Sequence, residues 1–201
     1  MTCTKESFLK DVKYHKLHIE RDDGLFRSIV LGRPDSCAYK YRITTFPYHL
    51  CLTGDMGAFV FSRDDDMFTF FRADELEIND DYWRGKLVAH CNQSGSREFS
   101  HELFKQYVME EFQNAQEYNE WDDKTIAERK EELEDEVLSR VDDGEYAAIS
   151  AALEFRSEDW DMQDFWEYDC GENTYHFVWC LYAIVWGIQQ YDKSQEIIGE
   201  L

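Results

Sequence analysis

Between His15 and Ser62 apolar and polar residues alternate in short runs, the period-two signature of half-buried strands. His15–Glu20 alternates, and Asp22-Asp23-Gly24 turns the chain into Leu25–Leu31. Gly32-Arg33-Pro34-Asp35 breaks it again. Ala38–Phe46 interleaves aromatic and basic side chains (Tyr39, Lys40, Tyr41, Arg42). His49–Thr53 and Ala58–Ser62 flank Gly54-Asp55-Met56-Gly57, a tight hairpin loop because glycine accepts positive φ. The pattern predicts an antiparallel meander of four or five strands. A short helix over Lys5–Val12, with Thr4 as its N-cap, precedes it.

From Asp64 the period lengthens to that of helices. Asp64-Asp65-Asp66 caps a short helix through Phe71, with Met67, Phe70 and Phe71 on one side. Over 98–119, Leu103, Phe104, Tyr107, Val108, Glu111 and Phe112 keep a three-to-four spacing. A second long helix starts at Asp122/Asp123, buries Ile126, Leu133, Val137, Leu138 and Val141, and ends at Gly144. Short helices follow over 145–154 and 160–166. The last helix, about 173–191, is apolar almost all round and is expected at the centre of the helical layer. Strands first and helices after give an α+β fold. A length of 201 residues fits a single domain, 1–63 mainly β and 64–201 mainly α.

Charge changes the picture more than composition does. Aromatics make up 16% of the chain, too many for a disordered acidic segment, so the net charge of −22 sits on a folded body. Residues 1–100 carry 16 acids and 14 bases, whereas 101–201 carry 27 and 7. Such a field opposes direct contact with nucleic acid or anionic membrane and favours basic partners. Lys5, Lys10 and Asp11 interrupt any apolar leader, and the apolar run Phe177–Ile188 is too short to span a bilayer. Six cysteines without a CxxC pair fit reduced thiols in a cytoplasm.

Candidate chemistry is sparse. His15 and His18 fall in a strand and point apart, and His90-Cys91 has no second pair at ligand spacing, so neither metal nor cofactor is expected. No P-loop, nucleophile elbow or dinucleotide fingerprint occurs. The best enzymatic candidate is His49, Asp55, Arg63 and Asp66 around the hairpin end, where a carboxylate, an imidazole and a guanidinium could act on a nucleotide or phosphate. The plain alternative is that Asp55 shapes a turn, Asp66 caps a helix and Arg63 pairs with a neighbour.

The strongest signal is the segment 122–143, with ten acids against four bases on a predicted helix of about 33 Å. Carboxylates at i, i+3 and i+4 can imitate rows of phosphates toward a DNA-binding protein. Glu128, Glu131, Glu132, Asp135 and Glu136 are the expected partner-binding acids, with interleaved aromatics as anchors, Trp121 and Trp160 first and Tyr118, Phe165, Trp166 and Tyr168 beside them. The plain alternative is a solvated face that keeps the protein soluble.

The runs Phe46-Pro47-Tyr48-His49-Leu50, Gly54-Asp55-Met56-Gly57, Phe61-Ser62-Arg63, Asp66-Met67-Phe68-Thr69-Phe70-Phe71 and Tyr182–Asp192 resemble a family of uncharacterised bacteriophage and prophage proteins. The resemblance covers 29 residues and carries no activity with it. It implies a phage-encoded protein in the cytoplasm of a bacterial host. By analogy, such a protein inhibits a host defence or nucleic-acid-processing complex, of anti-CRISPR or anti-restriction type, by binding its basic surface. A homodimer formed through an apolar patch is a third reading.

Overall fold

The computed structural model describes residues 2–92 and 95–199. Its elements begin α1 (Lys5–Val12), β1 (Lys16–Asp23), β2 (Phe26–Gly32), β3 (Tyr41–Phe46), β4 (His49–Gly54) and β5 (Gly57–Ser62). Next come α2 (Met67–Phe71), α3 (Asp80–Arg84), β6 (Leu87–His90) and β7 (Arg97–Phe99). The chain finishes with α4 (His101–Asn119), α5 (Asp123–Glu136), α6 (Glu145–Glu154), β8 (Gly171–Asn173) and α7 (Tyr175–Gly199). The antiparallel sheet followed by helices makes the fold α+β.

Contacts divide the chain into two compact units, Met1–Arg97 with Asn173–Leu201, and Glu98–Glu172, where the sequence reading draws one domain. In the first, β1 to β6 form one antiparallel sheet in chain order. The sixth strand, Leu87–His90, lies in the stretch expected to be helical. Register puts Ile29, Leu31, Tyr41, Ile43, Leu50, Leu52, Phe59 and Phe61 on one face, and all are buried. The edge strand β1 is charged and broken by a bulge between Ile19 and Arg21, which blunts edge-to-edge pairing.

The buried face is covered by α7, which corrects its expected place among the acidic helices. An apolar helix declares that it is buried but not against what; here it meets the sheet. The Tyr41 hydroxyl donates to the Ala183 carbonyl at 3.0 Å. A Cβ on Gly187 would lie 2.8 Å from Ile43 Cδ1, so the missing side chain permits a close helix–sheet approach. From α1, capped by Thr4 as expected, Phe8 packs edge-on to Trp179 at 5.1 Å and stacks on Tyr182 at 5.7 Å. Each such buried phenylalanine contributes about 2–3 kcal/mol.

The second unit has its own core. Phe104, Val108 and Phe112 of α4 meet Leu133 of α5, Val137, Val141, Ala148 and Ala152 of α6, Phe155, Met162 and Phe165. Ser100 caps α4 and Asp122 caps α5. The predicted helix 122–143 is shorter: α5 ends at Glu136, and Leu138–Asp143 tightens into a 3-10 helix. Gly144, at φ 101°, then reverses the chain into α6. Of the predicted helix 160–166 only a 3-10 turn, Phe165–Glu167, forms. Strands β7 and β8 pair with each other where the chain passes into and out of this unit.

Candidate functional site

The hairpin-end cluster comes only partly together. His49, Arg63 and Asp66 stand at one end of the sheet, where the Arg63 amide donates to the Tyr48 carbonyl and the Tyr48 amide to the Asp65 carbonyl, and Asp55 stands at the other. His49 opens β4 and Asp55 follows its last residue, so about 20 Å of strand separates them. His49 stacks on Phe46 at 4.8 Å and places Nδ1 3.1 Å from the Pro47 carbonyl. Asp55 accepts the Tyr39 amide at 2.8 Å, as a turn residue does. Arg63 follows β5, its Nε 3.7 Å from Asp64, and is more than half exposed.

Asp66 has a different task. It accepts the Phe68 amide as the N-cap of α2 and receives Arg27 in a bidentate pair at 2.9 and 3.1 Å. The Arg27 guanidinium also lies 4.8 Å from the Phe68 ring. Burial pushes the Asp66 carboxyl up, but the hydrogen bonds from Arg27 and the Phe68 amide outweigh it and hold the group below the ordinary carboxylate range.

Among the described residues, no three of His, Cys, Asp and Glu converge to hold a metal ion, and no helix is long and apolar enough to cross a membrane.

The acidic candidates fall in the unit Glu98–Glu172, which carries 25 acids and 6 bases, a net of −19. At about 100° per residue, Glu128, Glu131 and Asp135 share a stripe turned away from buried Leu133. All three are exposed, with Lys124 reaching Glu128 at 3.4 Å. Glu136 is exposed at the helix end. Glu132 does not join the stripe: it is half-buried and accepts Arg129 at 3.0 Å and the Ser157 hydroxyl.

Arg129 was not singled out by the sequence. Its side chain is 10% exposed and it bridges three carboxylates, Glu132, Glu158 at 3.3 Å and Asp159 at 3.0 Å. This buried cation ties the segment 157–161 to α5. Asp159 also accepts the Trp121 indole N–H at 2.6 Å. Trp121 and Trp160 are half-buried: both rings pack on Phe112, at 5.8 and 5.7 Å, and Trp160 packs on Phe155. They are the wall of the core, so they are not free anchors. The most exposed aromatics of the unit are Tyr118, Tyr146 and Trp166.

Between α4 and the segment 157–161 lies an open groove of about 800 Å³. Glu111 and Tyr118, two turns apart on one face of α4, form one wall; Glu158, Asp159, Trp160 and Asp161 form the other. Tyr118 is 88% exposed at the rim. The Tyr168 hydroxyl donates to Glu111 at 2.5 Å, and that bond pushes the phenol up to about 12. The signal for this wall was present in the acid-flanked tryptophan of Glu158-Asp159-Trp160-Asp161. What the sequence did not reveal was that α4 lies opposite it.

No family model, curated protein or solved structure matches the chain.

Proposed function

We propose that the protein works by binding another protein, presenting the acidic surface of residues 98–172 to a basic face of its partner. The observation that carries the reading is charge concentration: a net of −19 on 75 residues with a core of their own. Confining that much like charge to one folded unit opposes folding through self-repulsion, a cost solubility alone does not require. Along α5, Glu128, Glu131 and Asp135 step by about 4.5 and 6 Å. One strand of B-DNA places a charge every 3.4 Å or so, so the stripe is a sparser row of the same sign. The finer reading is a phage-encoded inhibitor in a bacterial host, occupying the nucleic-acid-binding surface of a CRISPR, restriction or related complex.

The test is capture from bacterial lysate at low and high salt, followed by DNA binding of the captured protein with and without this one. The expected result is a nucleic-acid-binding complex that elutes with salt and loses DNA in competition. The combined reversal Glu128→Lys, Glu131→Lys and Asp135→Lys should abolish both effects. Competition that persists unchanged in the triple variant would sink the acidic-surface reading.

A further inference from the structure

The groove between α4 and the segment 157–161 differs from the α5 stripe in one respect that bears on its ligand. The stripe offers carboxylates alone, whereas the groove sets carboxylates beside an aromatic ring left in the open. Tyr118 stands near the C-terminal end of α4, beside the buried stripe and one turn past buried Ala115, yet is 88% exposed. Across the groove Glu158 Oε2 accepts from the Arg129 guanidinium at 3.3 Å, yet its side chain is 88% exposed. Asp159 is held on both oxygens, by Trp121 and Arg129, and Asp161 by Gln163. Glu158, 88% exposed against 38% for Asp159, thus has more surface left to offer than its neighbour.

The chemistry narrows the occupant. Four carboxylates in the lining reject an anion, and the groove's lining includes no lysine or arginine to receive one. A bare divalent cation needs several oxygens converging within about 2.5 Å of one point, and no such group exists among the described residues. A planar cation fits both features, since guanidinium stacks on an aromatic face while its N–H groups take a carboxylate. Lysine offers a compact, strongly hydrated charge that exploits the ring less well.

We propose that this groove receives an arginine side chain from a basic segment of a protein partner, its guanidinium against Tyr118 and paired with Glu158. The proposal rests on the protein-binding reading above and names the side chain that the acidic unit selects.

The test uses the full chain and two dye-labelled peptides, one alternating Arg with Gly and one alternating Lys with Gly, read by fluorescence anisotropy at low salt. The arginine peptide is expected to bind at least threefold more tightly. Tyr118→Ala and Glu158→Gln should each weaken it about threefold to fivefold, the size of an exposed cation–π contact or an exposed ion pair. Tyr118→Phe should retain the affinity. Tyr118 is so exposed that its replacement leaves the core intact, and circular dichroism checks this. Equal binding of both peptides, or groove variants that bind like the parent, overturns the groove assignment; if Glu131→Gln/Asp135→Asn then weakens both peptides, the acidic-surface reading still stands. Calcium that displaces the peptide at one ion per chain also overturns it, in favour of a cation site. Binding of neither peptide overturns both readings.

Discussion

Replacing Asp66 by alanine should be among the most damaging single changes on the sheet unit. The carboxylate does two things at once, capping α2 through the Phe68 amide and neutralising Arg27. Losing the cap costs about 1 kcal/mol. Losing the pair strands a guanidinium that is only 12% exposed and whose Nε already lacks an acceptor. Breaking a buried pair from one side costs about 3–5 kcal/mol. Asp66 is itself 27% exposed, so water enters where it stood and returns part of that. The expected total for Asp66→Ala is about 3–4 kcal/mol. Asp66→Asn keeps the capping oxygen and should cost about 2 kcal/mol, and Arg27→Met, which leaves a carboxylate able to hydrate, about 1–2 kcal/mol. Combined in one chain, Arg27→Met and Asp66→Asn should fall short of their sum by about 1 kcal/mol or more. Urea midpoints at constant m measure all four, with amide exchange in β2 and α2 to localise the effect. A cost for Asp66→Ala near 1 kcal/mol, or strict additivity in the double variant, would mean that Asp66 only caps. The pH dependence follows with a fixed sign. The folded carboxyl sits below its unfolded value, so its stabilisation is full above about pH 4 and is lost as pH falls through the folded value.

His15 acts with the same sign at a higher pH. Burial lowers its folded pKa, and its Nδ1 is buried without a partner while Nε2 lies 2.8 Å from the Tyr39 carbonyl. Stability should therefore be full above about pH 6.5 and decline as pH drops toward the folded value; His15→Gln should flatten that part of a stability-versus-pH curve. Glu111→Gln should bring the Tyr168 phenol down from about 12 toward its ordinary value near 10, seen in an ultraviolet titration of the native protein. An unchanged Tyr168 would place the cause of its shift elsewhere. Gly187→Ala gains about 1 kcal/mol in helix propensity but drives a methyl into Ile43 and Leu31, for a net loss of about 1 kcal/mol; Ile43→Val should recover it, as thermal denaturation would reveal.

The sheet was legible because its signals are local. His15–Glu20 and Ala38–Phe46 alternate, and each reversal between the runs carries its own turn residues, so a meander of four or five strands was readable. The sixth was not, because Leu87–His90 is four residues long and shows no alternation of its own. It exists because β5 offers it a partner. The same limit hid the role of α7: its composition demands burial, yet only the apolar face of the sheet decides where. For the candidate site, the acids of α5 were visible as a run of like residues. Their division into an exposed stripe and a half-buried Glu132 was not, since it depends on Arg129 reaching across to Glu158 and Asp159. Proximity across 29 and 30 residues leaves no periodic trace.

Pairing of β7 with β8 brings the two ends of the acidic unit side by side, at the roughly 4.8 Å spacing of neighbouring strands. A segment whose ends meet in this way is, topologically, an insertion in the chain that builds the sheet and α7. Its length and surface can change without re-routing any strand of the larger core. Residues 98–172 can thus vary or be exchanged while the sheet's sequence stays under its own packing constraint. Among relatives, sequence divergence and length variation should concentrate inside that segment and stop at the paired strands.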